Sequence, residues 1–126
     1  MNEKETKPCI LVVDDTPENI DVAGGILSGL YKVKAAISGE KALKIAGKKP
    51  PDLILLDVMM PEMDGYEVCQ RLKQDENTHY IPVIFVTGET DAEAMKKGLE
   101  LGAVDYVTKP IDAALLLEKV KNYVAS

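Results

Sequence analysis

Asp57 closes a continuous apolar block, Leu53-Ile54-Leu55-Leu56, that follows a Pro-Pro pair. The block is too short for a helix and reads as a strand buried on both faces, as in a parallel sheet. A carboxylate after it stands at the carboxyl end of a central strand, where open α/β sheets bind their ligands. Cys9–Val13 is a second such block and ends in Asp14 and Asp15. Pro82–Val86 ends in Thr87-Gly88, and Ala103–Val107 runs into Thr108-Lys109-Pro110. If these ends share one sheet edge, three carboxylates, a hydroxyl and an ammonium converge. Carboxylates so close repel one another unless a cation or protons relieve them. Oxygen donors without histidine or thiolate suit Mg²⁺, and the Met59 backbone carbonyl offers one more oxygen. A hard metal, a point cation and a hydroxyl are the groups that stabilise a phosphoryl group in transfer. Asp57 is then a candidate nucleophile that would carry it as an acyl phosphate. Taken singly, each residue has an ordinary explanation: a solvated turn, a backbone-bonded threonine, a surface lysine. Their conjunction favours chemistry.

Five strand–helix alternations must position these residues. After Asp15, Thr16 is a potential N-cap and Pro17 suits the first helical position. Ile20, Ala23, Leu27 and Leu30 then recur at helical spacing. Gly24 and Gly25 weaken that helix by about 1 kcal/mol each relative to alanine, and close approach to the sheet would account for them. Tyr31–Ile37 alternates apolar and polar residues, as an edge strand does. Ser38 caps a helix with Ala42, Leu43 and Ala46 inward, which Gly47 and Pro50 end. Asp64 caps a helix over about Gly65–Lys73, with Val68, Cys69 and Leu72 on one face. Asp75–Tyr80 is a polar loop, and Asp91–Leu101 reads as a helix that Gly98 weakens. Asp112 caps a last helix with Ala113, Leu117, Val120 and Val124 on one stripe, while Leu115 and Leu116 extend its apolar surface. The alternation predicts an α/β fold: a doubly wound, five-stranded parallel sheet with helices on both faces. With the most apolar strands central and the second at an edge, the order is 2-1-3-4-5, a common doubly wound order. Its switch point lies between the first and third strands, whose ends carry Asp14, Asp15 and Asp57.

The 126 residues suit one domain, with 1–8 a polar lead-in and 9–126 the folded unit. An apolar content of 46% with 29% charged residues is that of a globular protein rather than a disordered one. The formal charge of −6 argues against gripping nucleic acid or an anionic membrane by net field. Cys9 and Cys69 form no metal or redox motif and read as small hydrophobes. No run approaches the ~20 apolar residues of a membrane span, and no signal peptide is evident, which makes the expected location cytoplasmic. The one histidine, His79, sits in the polar loop with no expected role.

Four segments resemble the receiver (phosphoacceptor) domain of two-component response regulators, including its chemotaxis type. They are VVDD at Val12–Asp15, LLDVMMPEMDG at Leu55–Gly65, PVIFVTG at Pro82–Gly88 and GAVDYVTKP at Gly102–Pro110. They span nearly the whole chain in the family's order. The resemblance implies a flavodoxin-like fold in which Asp57 accepts a phosphoryl group from a histidine kinase or phosphotransfer protein. It implies that Asp14, Asp15, Asp57 and the Met59 carbonyl organise Mg²⁺. Thr87 and Lys109 would contact the phosphoryl oxygens, Gly88 would offer its backbone N–H, and Tyr106 would be the switch aromatic. It further implies a cis Lys109–Pro110 bond. The face of helix 4, strand 5 and helix 5 would control an output domain or effector, or pair two copies of the chain. Such a domain is a regulatory phosphoacceptor that assists its own phosphotransfer and slow dephosphorylation. Two other readings are weaker. A haloacid-dehalogenase-like phosphatase needs a second aspartate where Met59 stands. A flavodoxin-like FMN carrier needs a phosphate-welcoming first loop, but Asp14-Asp15 present carboxylates.

Overall fold

The computed structural model describes residues 7–88 and 92–124. Most of the expected lead-in and Asp91, the expected start of the fourth helix, lie outside the described residues. The elements are β1 (Cys9–Val13), α1 (Pro17–Leu27), β2 (Lys32–Ala36), α2 (Gly39–Lys48) and β3 (Leu53–Asp57). After them come α3 (Gly65–Gln74), β4 (Val83–Thr87), α4 (Ala92–Glu100), β5 (Asp105–Thr108) and α5 (Ala113–Tyr123). All four strand pairings are parallel, and the order is β2-β1-β3-β4-β5. β3 and β4 are buried along their whole length, whereas edge strand β2 is mostly not.

Alternate residues of the central strands feed two cores, as the period of a strand requires. Leu11, Val13, Ile54, Leu56, Val83 and Phe85 pack against Ala42 and Ala46 of α2 and Val68, Cys69 and Leu72 of α3. Ile10, Val12, Leu53, Leu55, Ile84 and Val86 pack against Ala23 and Leu27 of α1 and Leu116 and Val120 of α5. Both cysteines are free, Cys69 buried and Cys9 half-buried. Asp64 and Asp112 cap their helices by accepting from Glu67 N–H (2.9 Å) and Leu115 N–H (3.1 Å), and Ser38 accepts from Lys41 N–H (3.2 Å).

Several local expectations change. Thr16 occupies the N-cap of α1, but its side chain makes no capping bond. Its own N–H instead donates to Asp14 Oδ1 at 2.9 Å, which folds the chain back over the first strand's end. Leu30 lies past the end of α1 and is exposed. No close approach explains Gly24 and Gly25: a Cβ on Gly24 would meet Val33 at an ordinary 3.8 Å, and one on Gly25 would meet nothing. On α5, Leu116 rather than Ala113 faces the core, while Ala113 and Leu115 are exposed. β5 begins two residues later than expected. Gly98, expected to weaken α4, is where that helix touches the sheet: a Cβ there would lie 2.7 Å from the Phe85 ring.

Candidate functional site

Sheet register brings the acidic ends together. Val13 pairs with Leu56, so Asp14 and Asp57 leave adjacent strands side by side. Both are buried, at 4% and 3% exposure, while Asp15 is exposed. One carboxylate oxygen from each of Asp14, Asp15 and Asp57 can be chosen so that all lie within 4.8 Å of one another. Lys109 reaches across from the end of β5. Its Nζ donates to Asp57 Oδ1 at 3.2 Å and to Asp14 Oδ2 at 3.4 Å. Its backbone N–H bonds the Thr87 carbonyl at 2.9 Å, and the Lys109–Pro110 bond is cis. Thr87 is buried at the end of β4, and exposed Gly88 follows it.

The site's charge is unbalanced. Burial pushes the Asp57 carboxyl pKa up, and the neighbouring Asp14 charge raises it further. Lys109, by charge and hydrogen bond, and a backbone hydrogen bond with Met59 oppose this without cancelling it. Burial alone would lower the Lys109 pKa, but the two carboxylates outweigh it and hold the ammonium more firmly protonated. One ammonium thus serves two buried carboxylates beside a third. An all-oxygen donor set with excess negative charge fits a hard divalent cation such as Mg²⁺.

The loop from Val58 to Asp64 returns the chain tightly into α3. Glu62 takes a positive φ of 67°, and the Gly65 N–H bonds the Val58 carbonyl at 2.9 Å. A Cβ on Gly65 would fall 2.3 Å from the Asp57 carbonyl oxygen, so backbone packs directly on backbone here. The Met59 side chain is exposed. His79 is exposed in the loop that leads to the amino end of β4, away from the crevice.

Tyr106 lies on β5, half-buried, beside a narrow apolar cleft that Thr87, Val58, Phe85, Met95 and Leu99 also line. The sequence reading missed what surrounds it. Tyr66 packs edge-on against Phe85 with centroids 5.4 Å apart, and Lys97 Nζ stands 4.5 Å from the Tyr66 centroid. Lys119 Nζ stands 4.9 Å from the Tyr106 centroid and pairs with Asp105 at 3.0 Å. These contacts join different elements, and no spacing in the sequence signals them.

The response regulator receiver domain matches residues 10–121, and the chain belongs to this family of two-component receivers. It is 47% identical over 124 residues to a probable cyclic di-GMP phosphodiesterase of Vibrio cholerae, covering 98% of this chain and 28% of that protein. It is 45% identical over 114 residues to response regulator PleD of Caulobacter vibrioides, covering 90% and 25%. The chain thus spans little more than a quarter of these relatives. Among solved structures, a putative response regulator from Chloroflexus aurantiacus superposes with a TM-score of 0.90 at 36% identity, covering 95% of this chain and 99% of that one. A BeF3-activated DrrB receiver domain gives 0.85 at 36% identity, covering 93% and 97%.

Proposed function

We propose that residues 9–126 act as a receiver whose Asp57 takes a phosphoryl group from the phosphohistidine of a partner kinase or phosphotransfer protein, with residues 1–8 a lead-in. The observation that carries this reading is the buried Asp57 carboxylate, flanked by Asp14 and bridged to it by Lys109. An Asp57 oxygen attacks phosphorus as the P–N bond to the donor imidazole breaks, and the imidazole, already protonated on its other ring nitrogen, leaves neutral. Asp14, Asp15, Asp57 and the Met59 carbonyl would hold Mg²⁺, which supplies charge neutralisation to the transferring group. Lys109 stays paired with the acyl phosphate, the Thr87 hydroxyl donates to a phosphoryl oxygen, and the Gly88 N–H offers a further donor. Met59 leaves no second aspartate to act as general acid, which favours a persistent acyl phosphate over rapid phosphatase turnover. The domain regulates rather than acting on a separate substrate.

The response is read at the face of α4, β5 and α5, by an output domain, an effector or a second copy of the chain. Direct nucleic-acid binding by this domain is disfavoured by its charge of −6. Among the described residues no helix is long and apolar enough to cross a membrane, and a cytoplasmic location fits a kinase partner. Incubation with acetyl phosphate or phosphoramidate and Mg²⁺ tests the assignment. The expected product is one phosphoryl group on Asp57, and Asp57→Asn, which keeps the shape, should abolish labelling. Mapping of the phosphate to another residue by mass spectrometry would refute it.

A further inference from the structure

β5 is the last strand of the sheet, so one side of its backbone has no ladder partner. At Tyr106 a single ion pair supplies what a sixth strand would. Asp105 Oδ1 accepts the Tyr106 N–H at 2.8 Å, and Lys119 Nζ, reaching from α5, donates to the Tyr106 carbonyl at 2.8 Å. The same Nζ donates to Asp105 Oδ1 at 3.0 Å and stands 4.9 Å from the centre of the Tyr106 ring. The Tyr123 hydroxyl donates to the Val104 carbonyl at 3.2 Å, tying the end of α5 to the residue before β5. The side chains of Lys119 and Asp105 are only 20% and 22% exposed, so this is a partly desolvated pair rather than a surface one. An ammonium over a tyrosine face attracts the ring, more so where water is partly excluded.

These contacts differ in what they can bias. The two backbone bonds persist wherever the ring points, because β5 stays in the sheet. The cation–ring contact exists only while the ring lies under Lys119. Only a contact that differs between two states can shift their populations. We propose that Lys119, held in place by Asp105, is a positioning residue that keeps Tyr106 in its present orientation and so sets the threshold for switching. The proposal rests on the reading of Tyr106 as the switching ring. Lys119 bonds none of Asp14, Asp57 and Lys109, so its effect on the crevice runs through Tyr106 and Asp105, which line the cleft with Thr87.

The test is a beryllofluoride titration, with Mg²⁺ present, of the wild type, Lys119→Met, Lys119→Arg and Lys121→Met, following the Tyr106 ring signals by NMR. Lys119→Met keeps the stem and removes the charge. It should lower the beryllofluoride concentration at half-saturation by about two- to five-fold, the size of one cation–π contact. Lys119→Arg restores a cation over the ring and should return the value to wild type. Lys121→Met removes a charge from an exposed position on the same helix and should leave it unchanged. A residue that merely supports α5 would lower the melting temperature of Lys119→Met without moving the midpoint, and that result overturns the proposal. An unchanged midpoint in a variant of unchanged melting temperature overturns it equally, as does an equal shift in Lys121→Met. If wild-type ring signals do not respond to beryllofluoride at all, the switching role of Tyr106 fails, and with it any ring for Lys119 to hold.

Discussion

Asp57 sits buried among more negative than positive charge. Its folded pKa lies above the ordinary aspartate value through burial and the Asp14 charge. The sign of the consequence follows from linkage. In the window above the unfolded pKa and below the raised folded one, the native state binds more protons, so stability falls as pH rises through that window. Above the raised folded pKa the full cost is present, and there the ionised carboxylate destabilises the domain. Asp57→Asn should therefore melt above the wild type in EDTA at pH 7, by about 4 °C for each kcal/mol of relieved repulsion in a domain of this size. The gap should narrow towards pH 4, and also on adding Mg²⁺, which stabilises the native wild type by mass action. Equal or lower melting of the variant in EDTA would contradict this account. At this scale much of the site could be read from the sequence, because each residue is fixed by where a strand ends. What could not be read is the sharing of Lys109 between Asp14 and Asp57, since side-chain reach is not written in spacing.

At the scale of elements, the three central strands were legible because four-residue apolar blocks admit few other readings. The faces of helices were less so. On α5 the series Ala113, Leu117, Val120, Val124 and the series with Leu116 in place of Leu117 are both helical, and both positions are leucine. Contact with the sheet buries Leu116 fully and leaves Leu117 half-buried against the same core. Glycines divide the same way. Gly25 lies within α1 and a Cβ there meets nothing, so Gly25→Ala should raise stability by up to ~1 kcal/mol through helix propensity. Gly98→Ala gains the same propensity but drives a Cβ to within 2.7 Å and 2.8 Å of the Phe85 ring. That ring is buried and held by Tyr66, so it cannot yield cheaply. Overpacking of this kind costs about 1–3 kcal/mol, so the net effect should be destabilising. Urea denaturation of the two variants should give opposite signs. Loss of stability in Gly25→Ala, or a gain in Gly98→Ala, would contradict this packing. Phe85→Leu should partly rescue Gly98→Ala, because neighbours in contact are not additive.

For the whole molecule, the expected response runs from β3 across β4 to the β5 edge. A phosphoryl group on Asp57 draws Thr87 towards it, and the Tyr106 ring turns into the cleft that Thr87 helps to line. Thr87→Ala should accept phosphate on Asp57 yet transmit poorly, whereas Lys109→Ala should impair both steps. NMR with beryllofluoride checks this: shifts should reach Tyr106 and residues 92–124 in the wild type but stay near the crevice in Thr87→Ala. Wild-type shifts confined to the crevice would mark a phosphate sink instead of a switch. The contact of Gly65 with the Asp57 carbonyl adds a direction to this response. Backbone lies on backbone there, and the Gly65 N–H is bonded to the Val58 carbonyl, so α3 and the end of β3 move as one body. α3 cannot follow an incoming phosphoryl group without displacing the very residue that carries it. Across the sheet, Thr87, Tyr106 and α4 meet through side chains, which can change rotamer. On the proposed switching, the α3 flank is expected to stay still and the β5 flank to respond. A protein docked on the α3 side is then expected to stay bound through phosphorylation, and one docked on the β5 side to be exchanged.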